Sequence, residues 1–137
     1  MMPTYSTYEE KVRHFHKVMG QPLDAPMTMQ LLALRTELIK EEVTEFIAEA
    51  ANCMMDILRD KQVTRENRAK LLKELVDVQY VISGFAETFG LPLETAFNRV
   101  HASNMSKLDD YGRPIRREDG KVLKGPNYVE PLLLDLV

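Results

Sequence analysis

The residues of this sequence whose types and spacing could support chemistry are five carboxylates in two short runs. The first run is Glu41-Glu42-Val43-Thr44-Glu45, and the second is Glu74-Leu75-Val76-Asp77. Both runs lie in strongly helical patterns, and helical residues three or four positions apart share a face. Each run therefore places like charges side by side, at a cost of about 0.2–0.5 kcal/mol per pair on an isolated helix.

Such a concentration of negative charge has two interpretations: a fully solvated acidic face, or a face with a cation among its carboxylates. Two acidic pairs on facing helices would supply four or more hard oxygen ligands, which suit Mg²⁺ or Mn²⁺. The second run favours the cation, because Glu74 and Asp77 run beside an apolar seam of the same helix. A carboxylate near a packed face is costly unless it is paired or binds a metal. The seam consists of Leu71, Leu75, Val78, Ile82, Phe85 and Phe89.

Capping residues and apolar periodicity predict the helices that position these runs. The predicted N-caps are Thr7, Thr28 and Thr64, and Gly20 and Gly90 end the first and third helices. The second helix extends to about residue 60, with a break near residue 52 left open, and the short connector 61–64 predicts an antiparallel return. A fourth helix runs from 91–93 to about residue 106. The predicted fold is all-α and resembles a four-helix bundle.

Turn chemistry replaces helical periodicity from Leu108 onward, and 118–121 could close a small hairpin. We expect a single domain over 1–137, with a helical core at about 7–107 and an irregular tail at 108–137. The apolar end, 131–137, should dock on the same domain or on a neighbouring subunit. The segment 107–124 is basic, which indicates either a solvated tail or a clamp for an anion. Its cations are Lys107, Arg113, Arg116, Arg117, Lys121 and Lys124.

The overall composition excludes several classes of protein. A net charge of −3 gives no indication of a nucleic-acid surface. No apolar run approaches the roughly 18 residues that span a membrane. The single cysteine, Cys53, excludes an intrachain disulfide and is expected to be a small buried residue in a helix. These features predict a cytoplasmic protein that binds neither nucleic acid nor membranes.

Acidic pairs on facing helices beside a basic segment suit phosphate chemistry. A divalent metal can neutralise phosphate charge and lower the pKa of a bound water, while lysine and arginine stabilise a leaving polyphosphate. The sequence contains no glycine-rich phosphate loop and no evident Ser–His–acid or Cys–His arrangement. Metal-assisted hydrolysis is the reaction that remains.

The spacing of the two runs resembles a known family. Glu41-Glu42-x-x-Glu45 followed, after 46–73, by Glu74-x-x-Asp77 is similar to the E-E-x-x-E…E-x-x-D signature of the all-α nucleoside triphosphate pyrophosphohydrolases. That superfamily includes MazG, the dimeric dUTPases, the dCTP pyrophosphatases and phosphoribosyl-ATP pyrophosphohydrolase, and the spacer here is at the long end of its range. Asn104-x-Ser106-Lys107 and Asp119-Gly120-Lys121…Lys124 further resemble its single-domain branch, MazG-like, integron-borne and dUTPase-like.

The resemblance implies a house-cleaning enzyme that uses Mg²⁺, or Mn²⁺, to hydrolyse a (deoxy)nucleoside triphosphate to the monophosphate and pyrophosphate. It implies a homodimer or homotetramer. Glu41 would be the catalytic base that orients the attacking water, or a carboxylate that supports the metal ligands. The implied metal ligands are Glu42, Glu45, Glu74 and Asp77, and the implied substrate contacts are Asn104, Lys107, Lys124, Arg113 and Tyr80. Helical geometry alone does not choose between Glu41 and Glu42 as ligand, because each lies within about 60° of Glu45.

The sequence leaves three alternatives open. A di-iron carboxylate bundle expects Glu-x-x-His on two helices, whereas the second acidic pair ends in Asp77 and His101 follows Asn98. A non-enzymatic helical oligomer that binds metal explains the seam and the carboxylates but not the basic tail. Within the resembled family, phosphoribosyl-ATP is the second substrate, and the long tail argues mildly against it.

Overall fold

The computed structural model describes residues 3–137, which contain four α-helices. They are α1 (Tyr8–Met19), α2 (Met29–Asp60), α3 (Arg65–Phe89) and α4 (Leu93–Met105), and one turn of 3₁₀-helix follows at Leu134–Leu136. The described chain has no β-strand, only an isolated antiparallel bridge between Arg116 and Val122. The predicted all-α fold is therefore confirmed. None of the helices within 3–137 combines the length and the apolar character needed to cross a membrane.

Local capping interactions begin each of the first three helices where the sequence predicts. The hydroxyl oxygen of Thr7 accepts the backbone N–H of Glu10, and the Glu10 carboxylate accepts the N–H of Thr7, which completes a capping box. Thr28 and Thr64 cap α2 and α3 in the same way, through the N–H groups of Leu31 and Asn67. Because these contacts lie within one turn, sequence alone is enough to locate them.

The chain divides into two compact units, one ending at Gly90 and the other spanning Leu91–Val137. In the first unit, α2 runs unbroken through Asn52, and α3 packs against both α1 and α2. Asp56 fixes the predicted antiparallel turn between α2 and α3. Its Oδ2 accepts hydrogen bonds from the backbone N–H of Thr64 and the side chain of Asn67, both at 2.9 Å.

Few apolar side chains in the first unit are fully buried. Val12, Cys53, Ala86 and Phe89 form the buried apolar core, and the prediction for Cys53 is confirmed. The predicted seam on α3 is only partly covered, because Leu75 remains 51% exposed and Ile82 36% exposed. A straight helix has 3.6 residues per turn, so a 3.5-residue repeat drifts around it and leaves part of the seam away from α2.

The second unit is built on α4 and the chain that follows it. The Ser103 hydroxyl donates to the carbonyl of Val129 at 2.7 Å. Arg99 donates to the carbonyl of Leu132 at 2.9 Å and pairs with Asp135 at 2.6 Å. These contacts dock the apolar end of the chain on α4, while Leu132 itself stays 76% exposed. The predicted hairpin at 118–121 is present and is closed by the Arg116–Val122 bridge.

Candidate metal and phosphate site

Packing of α2 against α3 brings three of the predicted carboxylates together. One oxygen from each of Glu42, Glu45 and Glu74 lies within 4.8 Å of the other two. Glu42 and Glu45 are three positions apart on α2, and Glu74 reaches them from α3. The antiparallel turn that Asp56 closes therefore makes the two acidic runs face each other. We call Glu42, Glu45, Glu74 and Asp77 the carboxylate cluster.

Two members of the carboxylate cluster each have a buried oxygen with no hydrogen-bond partner. Within residues 3–137, nothing donates a hydrogen bond to Oε2 of Glu42 or to Oε2 of Glu74. A buried, unpaired carboxylate oxygen costs free energy, and most such groups in proteins bind a donor, a water or a metal. The donor set therefore fits a hard divalent cation, whose preferred ligands are carboxylate oxygens.

The surroundings of Glu42 disfavour the ionised form of its carboxyl group. Burial raises the pKa of the Glu42 carboxyl, and the negative charges of Glu45, Asp77 and Glu74 raise it further. Lys73 acts in the opposite direction. A cation bound among these oxygens would reverse the repulsion, as bound metal ions do in other carboxylate sites.

Asp77 lies beside the converging oxygens but is engaged by a lysine. Its Oδ2 is 2.5 Å from Nζ of Lys73, and the same ammonium group is 3.5 Å from Oε1 of Glu74. The hydrogen bond to Asp77 raises the pKa of Lys73. Sequence reasoning missed this lysine, although its spacing of four residues from Asp77 is the standard signal for a helical ion pair.

Glu41 lies one residue before Glu42 on α2 but differs from it in environment. Glu42 is half-buried in the carboxylate cluster, whereas Glu41 is exposed and is not among the three residues whose oxygens converge. The rotation of α2 thus distinguishes two residues that helical spacing alone leaves equivalent. An exposed carboxylate beside the cluster retains access to water.

The predicted substrate residue Tyr80 lies on α3, one turn after Asp77. Its ring packs edge to face on Phe15, with centroids 5.4 Å apart, and burial raises the pKa of its hydroxyl. Tyr80 also lines an apolar groove of about 730 Å³ between α1 and α3. The α3 positions that form this groove recur at three- and four-residue spacing, so they share one face: Leu72, Leu75, Val76, Gln79, Ile82 and Ser83.

The groove and the carboxylate cluster use different faces of α3. Glu74 is two residues after Leu72, which places it about 200° around the helix from that residue. Asp77, two residues before Gln79, is rotated by a similar angle from that residue. Most of the groove is therefore turned away from the carboxylate cluster, and two of its lining residues, Val78 and Tyr80, lie between the two faces.

The other four predicted substrate residues belong to the second unit. Lys107 donates to the side-chain oxygen of Asn104 at 2.9 Å, so this predicted pair is in contact. The guanidinium of Arg113 lies 5.1 Å from the ring centre of Tyr111, and Nζ of Lys124 lies 4.5 Å from that of Tyr128. Both are cation–π contacts on exposed side chains, which leave the cationic groups accessible to an anion.

His16 belongs to a buried polar group whose members the sequence pattern does not connect. His16 Nδ1 donates to the carbonyl of Pro22 at 3.0 Å, and Arg35 donates to the side chain of Gln21 at 3.2 Å. His16 and Arg35 are both more than nine-tenths buried, and Nε of Arg35 has no partner in the described chain. No spacing pattern signals this group, because its members come from α1, the connector and α2.

Comparison with protein-family models gives a match over residues 12–104 to the family described as phosphoribosyl-ATP pyrophosphohydrolase. The match includes α2, α3 and every member of the carboxylate cluster, and it covers more than half of the chain. A comparison with curated proteins finds no match.

Proposed function

Since the chain belongs to the phosphoribosyl-ATP pyrophosphohydrolase family and is a pyrophosphohydrolase acting on a nucleotide, we propose that it hydrolyses a (deoxy)nucleoside triphosphate. The products would be the nucleoside monophosphate and pyrophosphate, and the reaction would depend on Mg²⁺. The observation that carries this proposal is that Glu42 and Glu74, whose carboxylates converge from two helices, each have a buried oxygen without a hydrogen-bond partner in the described chain.

Glu42, Glu45 and Glu74 would hold the cation, with Asp77 as a further ligand beside them. A divalent cation bound there would neutralise phosphate charge and lower the pKa of a water molecule. The three converging carboxylates are already within 4.8 Å of one another, so little rearrangement of these side chains is needed.

Glu41 is the proposed general base. It directly precedes Glu42 on α2, is exposed and contributes no converging oxygen, so its carboxylate would be available to accept a proton from the attacking water. The proton moves from the water to the Glu41 carboxylate as the water oxygen bonds to phosphorus. The phosphoanhydride bond breaks, and pyrophosphate leaves.

The proposed substrate contacts are polar, basic and aromatic side chains. Asn104 and Lys107 would contact the sugar or base and the phosphates respectively, and Arg113 and Lys124 would add positive charge for the polyphosphate. Tyr80 would contact the nucleoside. The proposal takes the basic segment as an anion clamp rather than a solvated tail, and the contact between Lys107 and Asn104 places two of the proposed substrate residues side by side.

Phosphoribosyl-ATP is the second candidate substrate, and the family match over residues 12–104 favours it. Both reactions break a phosphoanhydride bond and release pyrophosphate, so the carboxylate cluster serves either. The choice rests on groups that surround the sugar and base rather than on the metal ligands.

A pyrophosphate-release screen over common and damaged nucleoside triphosphates and phosphoribosyl-ATP, with Mg²⁺ or with EDTA, tests the proposal. Glu41→Gln should retain Mg²⁺ binding and lower kcat on the order of 10²-fold, as expected for loss of a general base. Glu42→Gln and Asp77→Asn should weaken Mg²⁺ binding as well. Full turnover by all three variants would exclude this site, and loss of metal binding by Glu41→Gln alone would reverse the roles of Glu41 and Glu42.

A further inference from the structure

Lys73 is the cation that the fold places against the carboxylate cluster. Both ion pairs that the cluster forms within the described chain come from this one residue, at 2.5 Å to Asp77 and 3.5 Å to Glu74. The Lys73 side chain is 66% exposed, whereas those of Glu74 and Asp77 are only 15% and 30% exposed. The lysine thus extends from solvent across the edge of a more deeply buried acidic site.

The position of Lys73 divides the four carboxylates of the cluster into two sets. Glu42, Glu45 and Glu74 converge on one another, while Asp77 gives an oxygen to the ammonium group and stands outside that convergence. Asp77 is still close enough for its charge to act on Glu42. A divalent cation that took Oδ2 of Asp77 as a ligand would have to displace the Lys73 ammonium group from that oxygen.

We propose that Lys73 is a tethered counterion of the carboxylate cluster, which holds Asp77 in the metal-free protein and competes with the divalent cation. Lys73 is then a positioning residue that acts through Asp77. This inference rests on the proposed metal site and adds a determinant of its affinity. Without metal, the ammonium group offsets part of the repulsion among the carboxylates; with metal, the same positive charge opposes binding.

The ordinary alternative is a surface ion pair with no influence on the site. An exposed pair four residues apart on a helix contributes little to stability, and it is screened by salt. The two hypotheses predict different effects on Mg²⁺ affinity. A surface pair leaves Mg²⁺ affinity unchanged when it is removed, whereas a competing counterion, once removed, makes Mg²⁺ bind more tightly.

Titration calorimetry of MgCl₂ into the nucleotide-free protein distinguishes a competing counterion from a surface ion pair. Lys73→Met removes the charge and keeps a residue of good helix propensity. Lys73→Arg keeps the charge, and Lys70→Met removes a charge from the preceding turn, where Lys70 is exposed. We expect Lys73→Met to bind Mg²⁺ roughly two- to tenfold more tightly than wild type, the size expected for one partly exposed charge pair. Lys73→Arg and Lys70→Met should resemble the wild type.

Thermal melts in EDTA supply a second measurement. Lys73→Met should melt below wild type without metal, and Mg²⁺ should raise its melting midpoint by more than it raises that of wild type. The gain in affinity should shrink as ionic strength rises, because the effect is electrostatic. Equal affinities for Lys73→Met and Lys70→Met, or weaker binding by Lys73→Met, would overturn the inference. Failure of the wild-type protein to bind Mg²⁺ would remove the proposed metal site itself and this inference with it.

Discussion

Glu42 on α2 and Glu74 on α3 bring one carboxylate oxygen each within 4.8 Å of the other, and each residue also has a buried oxygen to which no described group donates a hydrogen bond. This pairing makes the metal-free protein less stable than its packing allows, because two buried charges repel each other. The same pairing is what a divalent cation requires. Under the proposed function, the arrangement that costs stability in the metal-free protein is the one that would hold the cation.

Glu42→Gln and Glu74→Gln should each stabilise the metal-free protein, since one charge of the repelling pair is removed and an amide donor is gained. Both should lose the stabilisation that Mg²⁺ gives the wild type, which is about 2.7 kcal/mol at a hundredfold excess over the dissociation constant. Thermal melts in EDTA and in millimolar Mg²⁺ measure both effects. Glu49→Gln, on the same helix but outside the converging group, is the matched control. Identical wild-type melts in the two buffers would count against a metal site.

His16 should make stability depend on pH. Burial lowers its pKa below the usual 6.5, and Arg35 adds repulsion, while the hydrogen bond to Pro22 and the charge of Glu87 act the other way. The folded protein thus favours neutral His16. The contribution of neutral His16 to the free energy of unfolding is fully present above pH 6.5. It is lost as the pH falls through the lower pKa of His16 in the folded state.

Urea unfolding at pH 7.5 and 5.5 measures the effect of His16. His16→Gln, which cannot titrate, should show a smaller loss of stability between the two pH values than wild type, whatever its absolute stability. His101→Gln, at an exposed site, should keep the wild-type dependence. An unchanged dependence in His16→Gln would assign the effect to other groups.

Gly125 should tolerate no side chain. A Cβ there would lie 2.7 Å from the carbonyl oxygen of Lys107 and 3.0 Å from that of Leu108, and backbone atoms cannot move aside cheaply. Gly125→Ala should therefore displace the segment that carries Lys107 and raise the KM for substrate more than it lowers kcat. Steady-state kinetics measures this, with the exposed Glu118→Ala as control. Wild-type KM in Gly125→Ala would show that this segment does not contact substrate.

The protein should form a homodimer or homotetramer in solution. The groove face of α3 leaves Leu72, Leu75 and Val76 more than half exposed, and α2 exposes further apolar side chains such as Leu58. Contiguous apolar surface of this kind is typical of subunit interfaces. Light scattering at micromolar concentration should give a multiple of 15.8 kDa, and Leu75→Glu should reduce it. Lys70→Glu, at an exposed position on the same helix, is the control. An active 15.8 kDa monomer would contradict the prediction.

The sequence by itself determined the features that depend on neighbours along the chain. The caps at Thr7, Thr28 and Thr64 and the left-handed ends at Gly20 and Gly90 involve contacts within one helical turn, and all five lie where the sequence predicts. The antiparallel return of α3 follows from the shortness of its connector. Helical periodicity likewise established that each acidic run shares a face.

Only the tertiary structure decided which carboxylates converge. Glu41 and Glu42 are equivalent by helical spacing, and the rotation of α2 against α3 places Glu42 in the carboxylate cluster and leaves Glu41 exposed. The same packing left Leu75 of the predicted seam half exposed. These outcomes depend on how two helices rotate about their axes when they pack, which is set by contacts between residues far apart in the chain and not by the local pattern of either helix.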